Sequence, residues 1–210
     1  MNNTQYTCHS GGCPGSDLTW EIVGEEYGVI TKAYSFKGHV TPSKNQVILT
    51  PEELTEGFEH VKIASVSLKK QISLFWPPPY VQNLLSRNWF QVKNSEAIFA
   101  IGKFRGKDFK FVDGGTGWAV QLAIDNNKPV YVFDQNDNQW KIWNGTAFVN
   151  TTPPILTRNF AGIGTREITD AGIRAVRNLY IDTINSINGD VDLNPETNVN
   201  ESKTPFCPGG

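Results

Sequence analysis

Residues 111–123 read FVDGGTGWAVQLA, and this stretch decides the fold expected of the chain. The pattern predicts a short strand that ends at a glycine pair and continues into a helix, with the apolar run PVYVF at 129–133 as the next strand. Such a junction points backbone N–H groups and the positive end of a helix dipole at one spot, which favours an anion such as phosphate. The same pattern, a strand that ends in glycines before a helix, is predicted at residues 7–17 (TCHSGGCPGSD) and 160–167 (FAGIGTRE). Three glycine turns in one small chain predict a single nucleotide-type pocket.

Length and composition favour one compact domain. The chain has 210 residues, of which 39% are hydrophobic, enough for a sizeable core. A formal net charge of -2 with 19% charged residues disfavours nucleic acid as the main partner. No apolar run approaches the roughly 20 residues that a membrane helix needs, and the polar start MNNTQYT does not resemble a signal peptide. The sequence therefore predicts a cytoplasmic protein with no membrane partner.

Hydrophobic periodicity and helix start signals predict alternating strands and helices. The stretch Thr50-Pro51-Glu52-Glu53 is typical of a capped helix start, and Thr169 is expected to cap the last helix. A loop is expected at 37–49, and Asn144-Gly145 predicts the turn of a hairpin at about 136–150. Strands are predicted at 7–12, 29–36, 95–102, 129–134 and 158–164, and helices at 16–27, 51–69, 80–92, 116–126 and 169–187.

This order predicts an α/β fold, a Rossmann-like three-layer domain with a mostly parallel sheet and a small hairpin insertion. The domain is expected to span residues 1–187. Residues 188–210 are acidic and poor in large apolar residues, and are expected to form a polar C-terminal tail.

Four short motifs together resemble the SLOG superfamily of Rossmann-like nucleotide-binding domains, which includes the lonely-guy phosphoribohydrolases and many phage-encoded proteins. They are Ser10-Gly11-Gly12 with Gly15 and Asp17, Arg87-Asn88 with Gln91-Val92, residues 114–117 with Ala119, and residues 161–167. In the phage members the motif at 161–167 comes first, whereas here it comes last, so the chain resembles a circular permutation. We therefore expect the strand at 160–164 to lie beside the strand at 7–12, within one molecule or, alternatively, by exchange between subunits.

Glycines, hydroxyls and arginines of these motifs form the predicted ligand site. Glycines at strand ends allow close backbone approach to phosphate, and Gly115 is expected to adopt positive φ. Arg87 and Arg166 are candidates for a bidentate contact to phosphate or for stacking on a base, and Asp17 for a ribose hydroxyl. Turn formation, helix capping and surface salt bridges are the structural alternatives for the same residues. The predicted ligand-binding residues are Ser10, Gly11, Gly12, Asp17, Arg87, Asn88, Gly114, Gly115, Thr116, Gly117, Gly162, Gly164, Thr165 and Arg166.

Comparison with the phosphoribohydrolase motif GGxGTxxE disfavours catalysis. Over residues 114–121 this chain has Trp118 in place of threonine and Gln121 in place of glutamate, and glutamine cannot act as an acid or base. Glu167 and Asp113 are the remaining catalytic candidates. The resemblance thus implies a protein that holds a nucleotide or an ADP-ribose-type signal intact, with sequestration of a host immune signal by a phage-encoded protein as one concrete role. A nucleotide N-glycosidase of the phosphoribohydrolase type is the alternative.

Cofactors and metal ions are not expected. The cysteines are odd in number (Cys8, Cys13 and Cys207), and reduced thiols are favoured over a metal site. The family resemblance and the aromatic-rich segment at 75–80 predict a homodimer. If the protein is phage-encoded, its location would be the host cytoplasm.

Overall fold

The computed structural model describes residues 6–73 and 76–189. Most of the predicted tail lies outside the described residues, while 188 and 189 belong to the last helix rather than to the tail. The elements in chain order are β1 (Thr7–Ser10), α1 (Ser16–Glu26), β2 (Ile30–Phe36), β3 (Gln46–Leu49), α2 (Pro51–Ser67), α3 (Pro79–Lys93), β4 (Ala97–Gly102), β5 (Phe104–Arg105), β6 (Phe111–Val112), α4 (Thr116–Asp125), β7 (Val130–Asp134), β8 (Gln139–Trp143), β9 (Phe148–Asn150), β10 (Asn159–Gly164) and α5 (Asp170–Gly189).

The fold is a three-layer α/β domain, as predicted. One eight-stranded sheet has the order β3-β2-β1-β10-β4-β7-β8-β9, in which the first six strands are parallel and the last two antiparallel. Helices α1 and α5 pack on one face, and α2, α3 and α4 on the other. Strand β4 is buried along its whole length, as expected for the centre of a parallel sheet covered on both faces.

The first and last strands are neighbours in the same molecule, which confirms the predicted pairing. β1 and β10 are parallel, with Thr7 opposite Asn159 and Cys8 opposite Phe160. The indole Nε1 of Trp20 in α1 donates to the Ile163 carbonyl of β10 at 3.2 Å. A Cβ atom at Gly162 would lie 2.6 Å from the Trp20 ring, so glycine at this position allows α1 to pack closely on β10.

The loop prediction for 37–49 was partly wrong, and the predicted strand at 111–112 forms outside the main sheet. Residues 46–49 of the expected loop form β3, an edge strand that pairs only with β2, and its short pattern has no distinct period. The strand at 111–112 is not in the main sheet, because it pairs antiparallel with β5 in a separate two-stranded ribbon. The ribbon leaves the sheet after β4 and returns the chain to the start of α4, where the Asp113 N–H donates to the Lys103 carbonyl at 2.8 Å.

The predicted hairpin forms but extends the sheet rather than standing apart from it. β8 pairs antiparallel with β7, and the Asn144 side chain accepts from the N–H groups of Thr146 and Ala147 at the turn. Both predicted helix caps are confirmed: Thr50 and Glu53 form a reciprocal capping box, and the Gly172 N–H donates to Thr169 Oγ1 at 3.1 Å.

Candidate functional site

A cavity of ≈ 380 Å³ lies at the carboxyl ends of β1 and β10, between the start of α4 and one face of α3. Parallel sheets bind ligands at this edge. A larger groove of ≈ 660 Å³, between β3, α2 and α3, lies away from the glycine turns. The cavity is lined by Cys13, Asp17, Val81, Leu84, Leu85, Arg87, Asn88, Gln91, Gly114, Gly115, Thr116, Ala119, Ile163, Gly164, Thr165 and Arg166.

The start of α4 is open to the cavity. The N–H groups of Gly114, Gly115 and Thr116 form no hydrogen bond within residues 6–73 and 76–189. A Cβ atom at Gly114 or Gly115 would meet nothing within 4 Å, so both glycines border free space. The expected positive φ is found at Gly114 (66°), whereas Gly115 has the helical value of -67°, and that prediction for Gly115 was wrong. These groups have the arrangement of a helix N-terminal anion site.

The start of α1 is occupied by the protein itself. The Thr165 carbonyl accepts from the Ser16 N–H at 3.0 Å and from Ser16 Oγ at 2.8 Å. The start of α5 is likewise closed, because Thr169 caps it and the Gln135 side chain accepts from the Thr169 N–H at 2.7 Å. Within the described parts of the chain, the turn before α4 therefore presents three consecutive free N–H groups, on residues that all line the cavity.

Asp17 connects the β1–α1 turn to β10. Its Oδ1 accepts from the Gly164 N–H at 3.0 Å, and its Oδ2 accepts from the Cys13 N–H at 3.3 Å. Burial raises the pKa of this carboxyl to about 6, against the opposing effects of nearby Arg87 and of the two N–H donors. Both oxygens are thus already bonded within the protein.

Arg87 crosses from α3 to the glycine turn after β1, and its side chain is only 5% exposed. Nη1 donates to the carbonyls of Gly11 and Tyr34, and Nη2 donates to Cys13 Sγ at 3.1 Å. Its buried Nε has no partner, and no carboxylate among the described residues forms a salt bridge with it. A buried cation without a contacting counterion is costly, and an anionic ligand in the cavity would reduce that cost.

Several predicted site residues have structural roles instead. A Cβ atom at Gly11 would collide with Arg87 and lie 2.6 Å from Asp17 Oδ2, so the polar cluster requires glycine there. Ser10 Oγ donates to Glu21 at 2.6 Å, and the Gly12 carbonyl accepts from Thr41. Outside the cavity lining are Ser10, Gly11, Gly12, Gly117 and Gly162, together with the exposed catalytic candidates Asp113 and Glu167.

Sequence reasoning missed one buried carboxylate beside the site. Glu21 lies one turn after Asp17 in α1 and accepts from Ser10 Oγ and from Ser43 Oγ, the latter at 2.5 Å. Burial raises its pKa. An acidic residue four positions after Asp17, next to the buried Trp20, was the available signal.

Gln121, at the position where the phosphoribohydrolase motif has its glutamate, does not line the cavity. Its Nε2 donates to Asp125 Oδ1 at 2.8 Å, one turn further along α4. The side chain is therefore held within its own helix.

Comparison with known proteins identified no relative. No family model, no curated protein and no solved structure matches the chain. Over residues 6–73 and 76–189, no helix has the length and apolar character to cross a bilayer. In the same residues no three His, Cys, Asp or Glu side chains converge in the way that a metal ion requires.

Proposed function

We propose that this protein binds a phosphate-bearing nucleotide or an ADP-ribose-type signalling molecule, with a phosphate at the start of α4. One observation carries the proposal: the free N–H groups of Gly114, Gly115 and Thr116 border the same cavity as the buried, incompletely bonded Arg87. The helix dipole of α4 and the guanidinium both favour negative charge there.

The rest of the lining suits the remainder of a nucleotide. Arg166 is exposed at the cavity and is available for a second charge-assisted contact to phosphate. Val81, Leu84 and Leu85 supply an aliphatic wall. A volume of ≈ 380 Å³ lies within the roughly 300–1,000 Å³ of small-molecule sites.

The carboxylates support binding rather than turnover. Asp17, the carboxylate in the lining, has both oxygens bonded to backbone N–H groups, whereas Asp113 and Glu167 are exposed outside it. A glycosidase needs an acid or base within hydrogen-bond reach of the scissile bond. The pKa of Asp17 near 6 is the feature that favours the alternative, an N-glycosidase with Asp17 as its acid.

The biological role follows from the resemblance to SLOG domains, many of which are phage-encoded. We propose that the protein sequesters a signalling nucleotide of a host immune response in the cytoplasm, and that it acts as a homodimer.

A binding and recovery experiment tests the proposal. Nucleoside monophosphates and ADP-ribose are titrated against the protein by calorimetry, and the bound ligand is then released and analysed by chromatography. We expect saturable binding and intact recovery. Many equivalents of free base and sugar phosphate per protein would instead establish the glycosidase, and no binding by any probe would refute both.

A further inference from the structure

Three aromatic rings cluster at the N-terminal end of α3, outside the cavity lining. They belong to Phe36 at the end of β2, to His39 in the following loop and to Tyr80 at the start of α3. The ring centroids of Phe36 and His39 are 5.0 Å apart and nearly parallel, and those of Phe36 and Tyr80 are 5.5 Å apart. His39 and Tyr80 are 6.4 Å apart. We refer to these residues as the aromatic cluster.

The aromatic cluster borders the cavity. Tyr80 lies one helical turn before Leu84 and two turns before Arg87, both of which line the cavity. Burial, with smaller contributions from the charges of Arg87 and Arg166, lowers the pKa of His39 from 6.5 to about 4. His39 is therefore neutral at physiological pH, and it is within electrostatic range of both cavity arginines.

The cluster is rigidly supported yet open to a ligand. Phe36 is 2% exposed beneath the other two rings, while Tyr80 is 48% exposed. Thr41 donates to the Gly12 carbonyl and Ser43 to Glu21, so the loop that carries His39 is held against the β1–α1 turn. A rigid aromatic surface binds a flat ring at low entropic cost.

His39 has one ring nitrogen available. Nδ1 is hydrogen-bonded to Ser35 Oγ at 3.0 Å, whereas Nε2 has no hydrogen-bond partner among the described residues. A neutral imidazole nitrogen can donate to or accept from the edge of a base, depending on the tautomer.

We propose that the aromatic cluster is a base-binding subsite, in which a nucleobase stacks on Tyr80 and bonds to His39 Nε2 while its phosphate lies at the start of α4. The inference rests on the proposed function and narrows it: the ligand carries an aromatic base next to its phosphate, and a sugar phosphate without a base binds weakly. Stacking of one base on an aromatic side chain contributes about 5- to 150-fold in affinity.

Affinities for a base-bearing and a base-free probe test the subsite. The four nucleoside monophosphates and ribose 5-phosphate are titrated against the wild type, Tyr80→Leu and Tyr80→Phe. We expect at least one nucleotide to bind the wild type about 5- to 150-fold more tightly than ribose 5-phosphate. Tyr80→Leu should lose most of this margin with little change in ribose 5-phosphate affinity, and Tyr80→Phe, which keeps the ring, should retain it. His39→Leu should weaken nucleotide binding alone.

The outcomes separate the two proposals. If nucleotides bind and Tyr80→Leu leaves their affinity unchanged, or weakens both probes equally, the subsite is refuted and the phosphate site stands. If ribose 5-phosphate binds as tightly as every nucleotide, the subsite is again refuted. If the wild type binds no probe, both proposals fall. Tyr80 is half exposed at the start of α3, so circular dichroism should show that Tyr80→Leu remains folded.

Discussion

At the scale of single residues, Gly114 and Gly115 differ although they are adjacent in sequence. Gly114 has a φ of 66°, which favours glycine, whereas Gly115 is already helical. A side chain at Gly115 would therefore fill cavity space without straining the backbone. A substitution at Gly115 can therefore block the ligand sterically while the protein still folds.

The first prediction concerns this position. Gly115→Val should abolish nucleotide binding, because its branched side chain would occupy the place proposed for the phosphate. The fold should persist, with a cost of about 1 kcal/mol for a poor N-cap residue. Calorimetry with circular dichroism measures both quantities, and Gly115→Ala is the smaller control. Unchanged affinity in folded Gly115→Val would place the ligand elsewhere.

A second prediction distinguishes a direct contact of Arg166 with the ligand from a general effect of positive surface charge on affinity. Arg166→Ala should weaken binding by about 1.5–3 kcal/mol, the contribution of a hydrogen bond to a charged group. The dependence of affinity on salt should also fall, because a screened charge pair is lost. Arg158→Ala is the matched control, since Arg158 is also exposed but precedes β10 and does not line the cavity. Equal effects of both substitutions would contradict a specific contact.

A third prediction concerns the pH dependence of stability through His9, which is 3% exposed. Burial, with smaller contributions from Lys32 and Lys128, lowers its pKa from 6.5 to about 4. His9 in the unfolded chain therefore becomes protonated below about pH 6.5, whereas His9 in the folded chain stays neutral until about pH 4. The free energy of unfolding consequently decreases as pH falls through this interval. At about 1.4 kcal/mol per pKa unit the loss is about 3 kcal/mol.

Urea unfolding of the wild type and His9→Gln at pH 7 and pH 4.5 measures this contribution. The difference between the two proteins isolates His9 from Asp17, whose raised pKa has the opposite sign: its contribution to stability falls as pH rises from about 4 to 6. Parallel losses of stability in both proteins would contradict the assignment to His9.

At the scale of elements, the three glycine turns serve different purposes. The helix starts of α1 and α5 are closed by hydrogen bonds within the chain, whereas Gly114, Gly115 and Thr116 before α4 have N–H groups that are free among the described residues. The close packing of α1 on β10 in turn positions Asp17 and Gly164 at the cavity. Packing of a helix on a strand is thus part of the site.

A fourth prediction tests that packing. Gly162→Ala adds a Cβ atom 2.6 Å from the Trp20 ring and 2.9 Å from Cys8 Sγ, so it should lower the free energy of unfolding by about 1–3 kcal/mol. Chemical denaturation measures the loss. Gly115→Ala, where nothing lies within 4 Å, should change stability much less. Similar stabilities of the two variants would show that α1 moves aside without cost.

At the scale of the whole molecule, the parallel sheet brings residues from both ends of the sequence together at the carboxyl ends of its strands. β1 and β10 lie side by side at its centre, so Asp17 and Arg166 border the same cavity. The cavity lining holds two arginines, Arg87 and Arg166, against one carboxylate, Asp17, in a chain whose formal net charge is -2. This local imbalance supports an anionic ligand without implying a polyanionic partner.

The fifth prediction is that the protein forms a homodimer in solution. The aromatic segment at 75–80 is described only from Trp76 onward, and Trp76 and Tyr80 are 40% and 48% exposed. Light scattering at micromolar concentration should give twice the chain mass of 23.4 kDa. A monomer mass across that range would contradict the prediction.

Local signals in the sequence determined the elements and most of their order. The capping box at Thr50 and the alternation of apolar strands with helices act over a few residues, so they could be recognised without the tertiary structure. The pairing of β10 with β1 was also predicted, but from motif order rather than from local chemistry. The short edge strand β3 has a single neighbour and was missed.

Only the tertiary structure decided which glycine turn is open. A glycine sets the backbone conformation of its own turn, but the bonding of a helix start depends on distant groups, such as the Thr165 carbonyl that reaches α1. In the same way, Arg87 is bonded to carbonyls that lie 76 and 53 residues away, and Asp17 to an N–H group 147 residues away. Such partners are brought together by the packing of the sheet and its helices, and no local pattern in the sequence records them.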